Sequence, residues 1–323
     1  MSVRALDNFP WPRPPGTQAS PVWRDNAFIV GRERRRVLEF ETADSHWSSE
    51  LTTFHQEEAG VDHPIDRASR RLAVESLRRF VVTATPIILD VGCSSGYLLK
   101  DIHEALPNAA LIGSDYILPP LMRLAEEMPA LPVLQFDLRS CPLPDNCIDA
   151  VTVLNVLEHI DRDEEALAQI YRILRPGGIA HIEVPSGPQL FDIYDEHMMH
   201  HRRYRLRDLK AMARRLEFQV LKATHLGALA YPGFWIVKKN NRRLRSRVVQ
   251  SSTRVRQHIR DTRASTLMAA LMRLELTLSH VMNFPFGIRS VLLLRKTAGH
   301  KDSGSGAARE SSTYQCETPS PTS

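Results

Sequence analysis

Apolar positions recur at helical spacing from Ile65 to about Val82, where Ile65, Ala68, Leu72, Leu77 and Phe80 approximate one face. After Pro86 the period changes. PIILDV is a continuous apolar run closed by a carboxylate, the pattern of a strand buried on both sides in a parallel sheet. Tyr97 to Leu106 returns to helical spacing through Leu98, Leu99, Ile102 and Leu106. AALIGSD predicts a second strand, and Pro119 to Met128 a helix opened by prolines. PVLQFD and CIDAVTVLN predict the third and fourth strands. Asp161 and Glu164 have the spacing of a capping box for a helix with the apolar face Leu167, Ile170, Ile173 and Leu174. Pro176-Gly177-Gly178 ends that helix, and IAHIEVP predicts a fifth strand. A helix over Leu206 to Leu216, a sixth strand FQVLKATHL and a last strand SVLLLRK complete the series. Strands alternating with helices imply an α/β fold, doubly wound, with a mostly parallel sheet covered on both faces.

The segment between the last two strands is far longer than a hairpin needs. Residues 227–287 are therefore expected to be a basic and apolar helical insertion or cap. Its second part, Thr266 to Asn283, carries Leu267, Leu271, Leu274 and Leu278 on one stripe. Residues 1–25 are proline-rich without periodicity and predict a flexible arm, and 26–84 a helical or lid region. The core runs over 85–226 and its last strand over 288–297. Residues 298–323 have a Ser/Thr/Gly/Pro-rich composition that predicts a disordered tail.

Composition changes this picture in two places. The net charge is only +5, yet between Lys238 and Arg263 lie Lys238, Lys239, Arg242, Arg243, Arg245, Arg247, Arg254, Arg256, Arg260 and Arg263, with Asp261 as the one acid. Such a run is either a solvated face or a surface for an anionic substrate or membrane. The cysteines Cys93, Cys141, Cys147 and Cys316 form no CxxC pair and no metal-ligand spacing with histidine, so neither a metal nor a disulfide is expected. The start, MSVRALDNFPWPRPPG, lacks an apolar signal core, and no apolar run is long enough to span a bilayer. These features together predict a cytoplasmic location, with peripheral membrane contact through 227–263 as the sharper alternative.

Candidate chemistry gathers where the predicted strands end. Leu89-Asp90-Val91-Gly92-Cys93-Ser94-Ser95-Gly96-Tyr97 joins a strand to a helix. Ligands of open α/β sheets bind at such carboxyl ends, and glycine lets backbone approach a ligand closely. A dinucleotide loop would show G-x-G-x-x-G, which this segment does not complete. Asp115 ends the second strand about where an acid holds ribose hydroxyls, followed by Tyr116. Asp137-Leu138 ends the third, with a carboxylate and a backbone amide able to read a base edge. Three acids at successive strand ends beside one glycine loop are hard to reach by chance.

With these motifs in order, the chain resembles the class I S-adenosylmethionine (SAM) dependent methyltransferases, particularly the small-molecule, ubiquinone/menaquinone-biosynthesis type. ILDVGCSSGYL is similar to the family's glycine-rich motif and IGSDY to its ribose motif. QFDLRSCPLPDNCIDAVTVLNVLEHI and LRPGGIAHIEVP resemble the segments that follow. The resemblance spans roughly 65–226 and returns at 288–296. It implies SAM as cofactor and a seven-stranded Rossmann-like sheet of order 3-2-1-4-5-7-6 with the last strand antiparallel. By it, Asp90, Gly92 and Gly96 border the methionine part of SAM, with Cys93 and Ser94 in the same loop; Ser94 departs from the usual glycine. Asn155, Leu157, Glu158 and His159 close over the cofactor.

Methyl transfer from a sulfonium needs alignment and exclusion of water more than acid–base chemistry. His159 is the candidate base beside the methyl site, and His197, His200 and His201 are candidates for the acceptor pocket, His201 being carried as a second catalytic candidate. Asn155-Val156-Leu157-Glu158 lacks the Asn-Pro-Pro-aromatic signature of adenine N6 chemistry. LGALAYPGFWIVKKNNRRLRSR sets apolar groups beside basic ones, suiting a lid over a small or lipid-like acceptor. Competing readings are an RNA methyltransferase using the basic insertion, a non-catalytic SAM-fold binding protein, and, remotely, a dinucleotide oxidoreductase.

Overall fold

A computed structural model describes residues 6–40, 61–243, 261–262 and 264–297. The expected tail at 298–323 and most of the basic run, from Leu244 to Arg260 and Arg263, lie outside the described residues. The chain opens with β1 (Val22–Arg24), β2 (Ala27–Val30), β3 (Glu33–Arg35) and β4 (Val37–Glu39). Next come α1 (Pro64–Phe80), β5 (Ile87–Val91), α2 (Tyr97–Ala105), β6 (Ala110–Asp115), α3 (Leu118–Glu127) and β7 (Val133–Gln135). They are followed by β8 (Ile148–Leu154), α4 (Asp163–Ile173), β9 (Leu174–Pro185), α5 (Ile193–His197), α6 (Leu206–Arg215) and β10 (Phe218–Leu226). The last elements are α7 (Tyr231–Arg243), α8 (Thr266–Leu278) and β11 (Arg289–Lys296).

The main sheet has the order β10-β11-β9-β8-β5-β6-β7-β4. β11 runs antiparallel to both its neighbours, and the other pairings are parallel. The expected count of seven strands is thereby corrected to eight. The additional one is β4, which pairs Val37 with Val133 and Leu38 with Leu134 at the edge. Three residues are too few to show an alternation, so the sequence carried no sign of it. β5 is buried along its whole length, because β6 and β8 flank it and helices cover both faces.

Residues 6–25 do not form the free arm expected of them. Leu6, Phe9 and Trp11 are buried, and Trp11 meets Phe28 edge-on with ring centroids 4.9 Å apart. Trp23 closes on the same Phe28 ring at 4.7 Å. Proline-rich chain lacks periodicity but still packs when aromatic side chains supply the buried area. The 26–84 region is corrected likewise: its described part begins with three strands before its one helix, and β1–β3 form a small antiparallel sheet of their own.

Two further expectations change in packing. Arg162 stands at the N-cap of α4 with no side-chain cap, because Asp161 pairs with Arg139 at 2.7 Å instead. In α8 the leucine stripe is split: Leu267 and Leu274 are exposed, Leu271 packs against the core, and Met272, Glu275 and Leu276 are buried. Met272 and Leu276 pack with Ile65, Ala68 and Leu72 of α1. Glu275 accepts from the backbone amides of Gly227 (2.6 Å) and Leu229 (3.0 Å), which ties α8 to the start of the insertion.

Candidate functional site

The turn after β5 is drawn back onto β6. The amides of Gly92 and Cys93 both donate to the carbonyl of Ser114, at 2.8 and 2.9 Å. Gly92 has φ +73°, and a Cβ there would come 2.4 Å from Val156 Cγ2, so only glycine fits. Ser94 also adopts a left-handed conformation, φ 49°, and its amide donates to Asp115 Oδ2 at 2.9 Å. Asp115 Oδ1 accepts from the Ile117 amide at 3.0 Å. Burial still raises the Asp115 carboxyl, against the lowering effect of these amides.

Asp90 is buried, and Thr152 Oγ1 on β8 donates to its Oδ1 at 2.6 Å. Burial pushes this carboxyl up to about 7, the Thr152 hydrogen bond opposing and Asp115 adding to the shift. Asp137 caps the turn that follows β7 and is gripped by Arg139, whose Nη2 lies 2.6 Å from Oδ2. Burial raises the Cys93 thiol well above its ordinary range.

These groups face one cavity of about 990 Å³. Asp90, Gly92, Cys93, Ser94, Asp115, Tyr116, Asp137, Leu138, Asn155, Glu158, His159 and His201 all line it. Gly96, which sequence placed in the same set, is not in the wall. It is left-handed (φ +70°) at the start of α2, and a Cβ there would meet Leu124 Cδ1 at 2.4 Å. Position 96 needs glycine for turn geometry and packing on α3. Leu157 is fully buried and also outside the wall.

Opposite the glycine turn, the segment Leu157–His159 presents Glu158, which is fully buried. Among the described residues, no side chain hydrogen-bonds to either of its carboxylate oxygens. Burial pushes it up to about 8, with its own backbone amide, Arg289 and Arg203 acting in the other direction. The His159 and His200 rings meet edge to face, centroids 4.7 Å apart. Tyr204 Oη steadies the turn, lying 3.0 Å from the carbonyl of Leu157 and 2.6 Å from Asp163 Oδ2. His201 is exposed at the rim, its amide donating to the carbonyl of Glu158 at 2.8 Å.

A buried ion network supports this wall. Lys238 Nζ sits 2.6 Å from Asp192 Oδ1 and 2.9 Å from Asp195 Oδ2. Arg203 Nη1 lies 2.8 Å from Asp195 Oδ1. Sequence had assigned Lys238 to a basic surface run; it is instead only 4% exposed. Lys239 lies over the Trp235 ring at 4.7 Å. Arg139, Asp195, Arg203 and Arg289 were all missed by sequence reasoning, because nothing in their local pattern separates a buried arginine or aspartate from a solvated one. Ala230, Phe234 and Val237 of the insertion, with Met268 and Leu271, give the cavity an apolar side.

Residues 89–182 match the family model described as "Methyltransferase domain". This stretch covers the glycine turn, Asp90, Asp115, Asp137 and Glu158 together. Residues 89–182 are thus similar to a methyltransferase domain. The chain is 34% identical over 108 residues to a demethylmenaquinone methyltransferase of Thermus thermophilus, covering 32% of this chain and 49% of that protein. It is 27% identical over 120 residues to a trans-aconitate 2-methyltransferase of Paracidovorax citrulli, covering 37% and 46%. The chain thus spans about half the length of these curated relatives. Among solved structures, the [4+2]-cyclase SpnF superposes with a TM-score of 0.52 at 19% identity, over 77% of this chain and 92% of that one. That likeness concerns the fold alone.

Proposed function

We propose that this protein transfers a methyl group from SAM to a small or lipid-like acceptor held between the methyltransferase domain and its helical insertion. The observation that carries the reading is the single cavity lined by Asp90, Gly92, Asp115 and Asp137 at one set of strand ends and by apolar side chains of α7 and α8 on another side. Its volume, about 990 Å³, is at the upper end of what one drug-sized ligand occupies, which suits a cofactor and an acceptor together.

The residues fit the cofactor chemically. Asp90 offers a buried carboxylate to which, among the described residues, Thr152 is the one hydrogen-bonding side chain, a counter-charge for an ammonium. Asp115 is held in place by two amides and can accept from both ribose hydroxyls. Gly92 keeps the turn free of a side chain. When bound, SAM supplies an activated methyl group on a sulfonium. The chain's own part is to align the acceptor and exclude water, a contribution of roughly 7–11 kcal/mol in favourable systems. An RNA acceptor fits less well, since Lys238 is turned inward to Asp192 and Asp195.

Peripheral contact with a membrane is part of this proposal. Trp235, Ile236 and Val237 of α7 are exposed, as are Leu267 and Phe286. Among the described residues no helix is long and apolar enough to cross a membrane. The direct test is calorimetric titration with SAM and S-adenosylhomocysteine, followed by mass spectrometry of polar and lipid extracts incubated with isotopically labelled methyl donor. Micromolar binding and a labelled product are expected. Absence of affinity for both nucleosides removes the reading.

A further inference from the structure

Glu158 is the side chain of the cavity wall whose surroundings are least balanced. A buried carboxylate without side-chain partners is strongly unfavourable, and among the described residues neither oxygen has one. The nearby cations are engaged elsewhere. Arg203 holds Asp195 at 2.8 Å and the carbonyl of Ser186 at 2.8 Å. Arg289 pairs with Asp66 and, at 2.9 Å, with Glu183. What stands beside Glu158 is imidazole: one possible ligand atom from each of Glu158, His159 and His200 lies within 4.8 Å of the others.

The orientation of His200 adds an independent observation. Its Nδ1 is 2.9 Å from Asp195 Oδ1, and Lys238 and Arg203 hold that carboxylate. A carboxylate on one ring nitrogen fixes the tautomer and offers the other to a metal; histidine ligands almost always place their second ring N–H on a carboxylate, a backbone carbonyl or water. The His159 ring crosses His200 at 75°, so the two imidazoles approach from different directions.

We propose that Glu158, His159 and His200 bind a divalent transition cation of the zinc or ferrous class, with Asp195 orienting His200. Two imidazoles and one carboxylate form a donor set of catalytic zinc and non-haem iron sites. Bonds of about 2.0–2.1 Å at tetrahedral angles put donor atoms about 3.4 Å apart. Side-chain rotations of about 1.4 Å therefore close the site from the 4.8 Å limit seen here. Three protein ligands leave a position open toward the cavity. It suits a hydroxyl or enol oxygen of the acceptor, whose acidity a bound cation raises. The site goes beyond the methyl-transfer reading and does not depend on it.

The experiment is titration of the full-length, chelator-stripped protein with Co²⁺, read by visible absorption, with Zn²⁺ in competition and no methyl donor present. One equivalent is expected to bind. Glu158→Gln keeps the shape of the side chain and removes its charge, and His200→Ala removes a ring. Each is expected to weaken Co²⁺ by at least about tenfold. Circular dichroism establishes that the variants are folded, and Glu158→Gln alone decides if His200→Ala is not. Failure of wild-type protein to take up either ion overturns the site. So does uptake unchanged in the folded variants. SAM affinity of the wild-type protein is measured separately. Loss of SAM binding in wild-type protein would count against methyl transfer and leave the metal result standing.

Discussion

At the scale of single residues, Asp90 links cofactor binding to pH. Its carboxyl, pushed up to about 7 by burial, is mostly neutral at pH 6 and mostly ionised at pH 8. Only the ionised form pairs with an ammonium. SAM affinity is therefore expected to rise about tenfold between pH 6 and pH 8, and calorimetry on Asp90→Asn should show a flat profile. The folding consequence has the opposite sense. The folded state holds this proton more tightly than the unfolded chain, so the contribution is full below about 4 and lost as pH rises through about 7. His159 also belongs at this scale. His159→Ala is expected to retain SAM binding and to turn over at least about tenfold more slowly; unchanged turnover at saturating substrates excludes it as a base.

At the scale of elements, α7 is held to the cavity wall by one buried cation shared between two carboxylates. Lys238→Met leaves Asp192 and Asp195 short of a partner in a site closed to water. Breaking a buried pair in this way costs about 3–5 kcal/mol, to be seen as a lower urea midpoint and faster proteolysis within α7. A near-wild-type midpoint would mean that the acids find compensation from Arg203 and His200. The same scale explains why the leucine stripe of α8 is only partly covered. Helical period identifies which residues share a face, but not which face meets a neighbour. Here Glu275 turns inward to two backbone amides and rotates Leu267 and Leu274 outward.

At the scale of the whole molecule, the eight-stranded sheet brings the ends of β5, β6, β7 and β8 to one cavity, and the insertion adds an apolar side to it. Trp235, Ile236 and Phe286 then remain on the outside, and Leu267 is exposed while still lining the cavity. Exposed apolar groups in a basic sequence context favour an anionic interface. Flotation with vesicles rich in acidic phospholipid at low salt is expected to carry the protein upward, and Ile236→Asp with Leu267→Asp to abolish it. No association of the wild type under those conditions ends the membrane proposal.

The sequence by itself determined the doubly wound core and the candidate loop. β5 and β8 follow from apolar runs that any packing would bury, and the glycine turn with Asp90 is contiguous in the chain. Tertiary structure decided the rest. It recruited β4 as an edge strand and packed the proline-rich start on Phe28. It also removed Gly96 from the wall, turned Lys238 inward, and set His200 beside Glu158 and His159. The physical reason is common to all of these. Local pattern encodes period and turn geometry, whereas the partner of a buried charge or an aromatic ring comes from a distant segment and is chosen only when the chain closes.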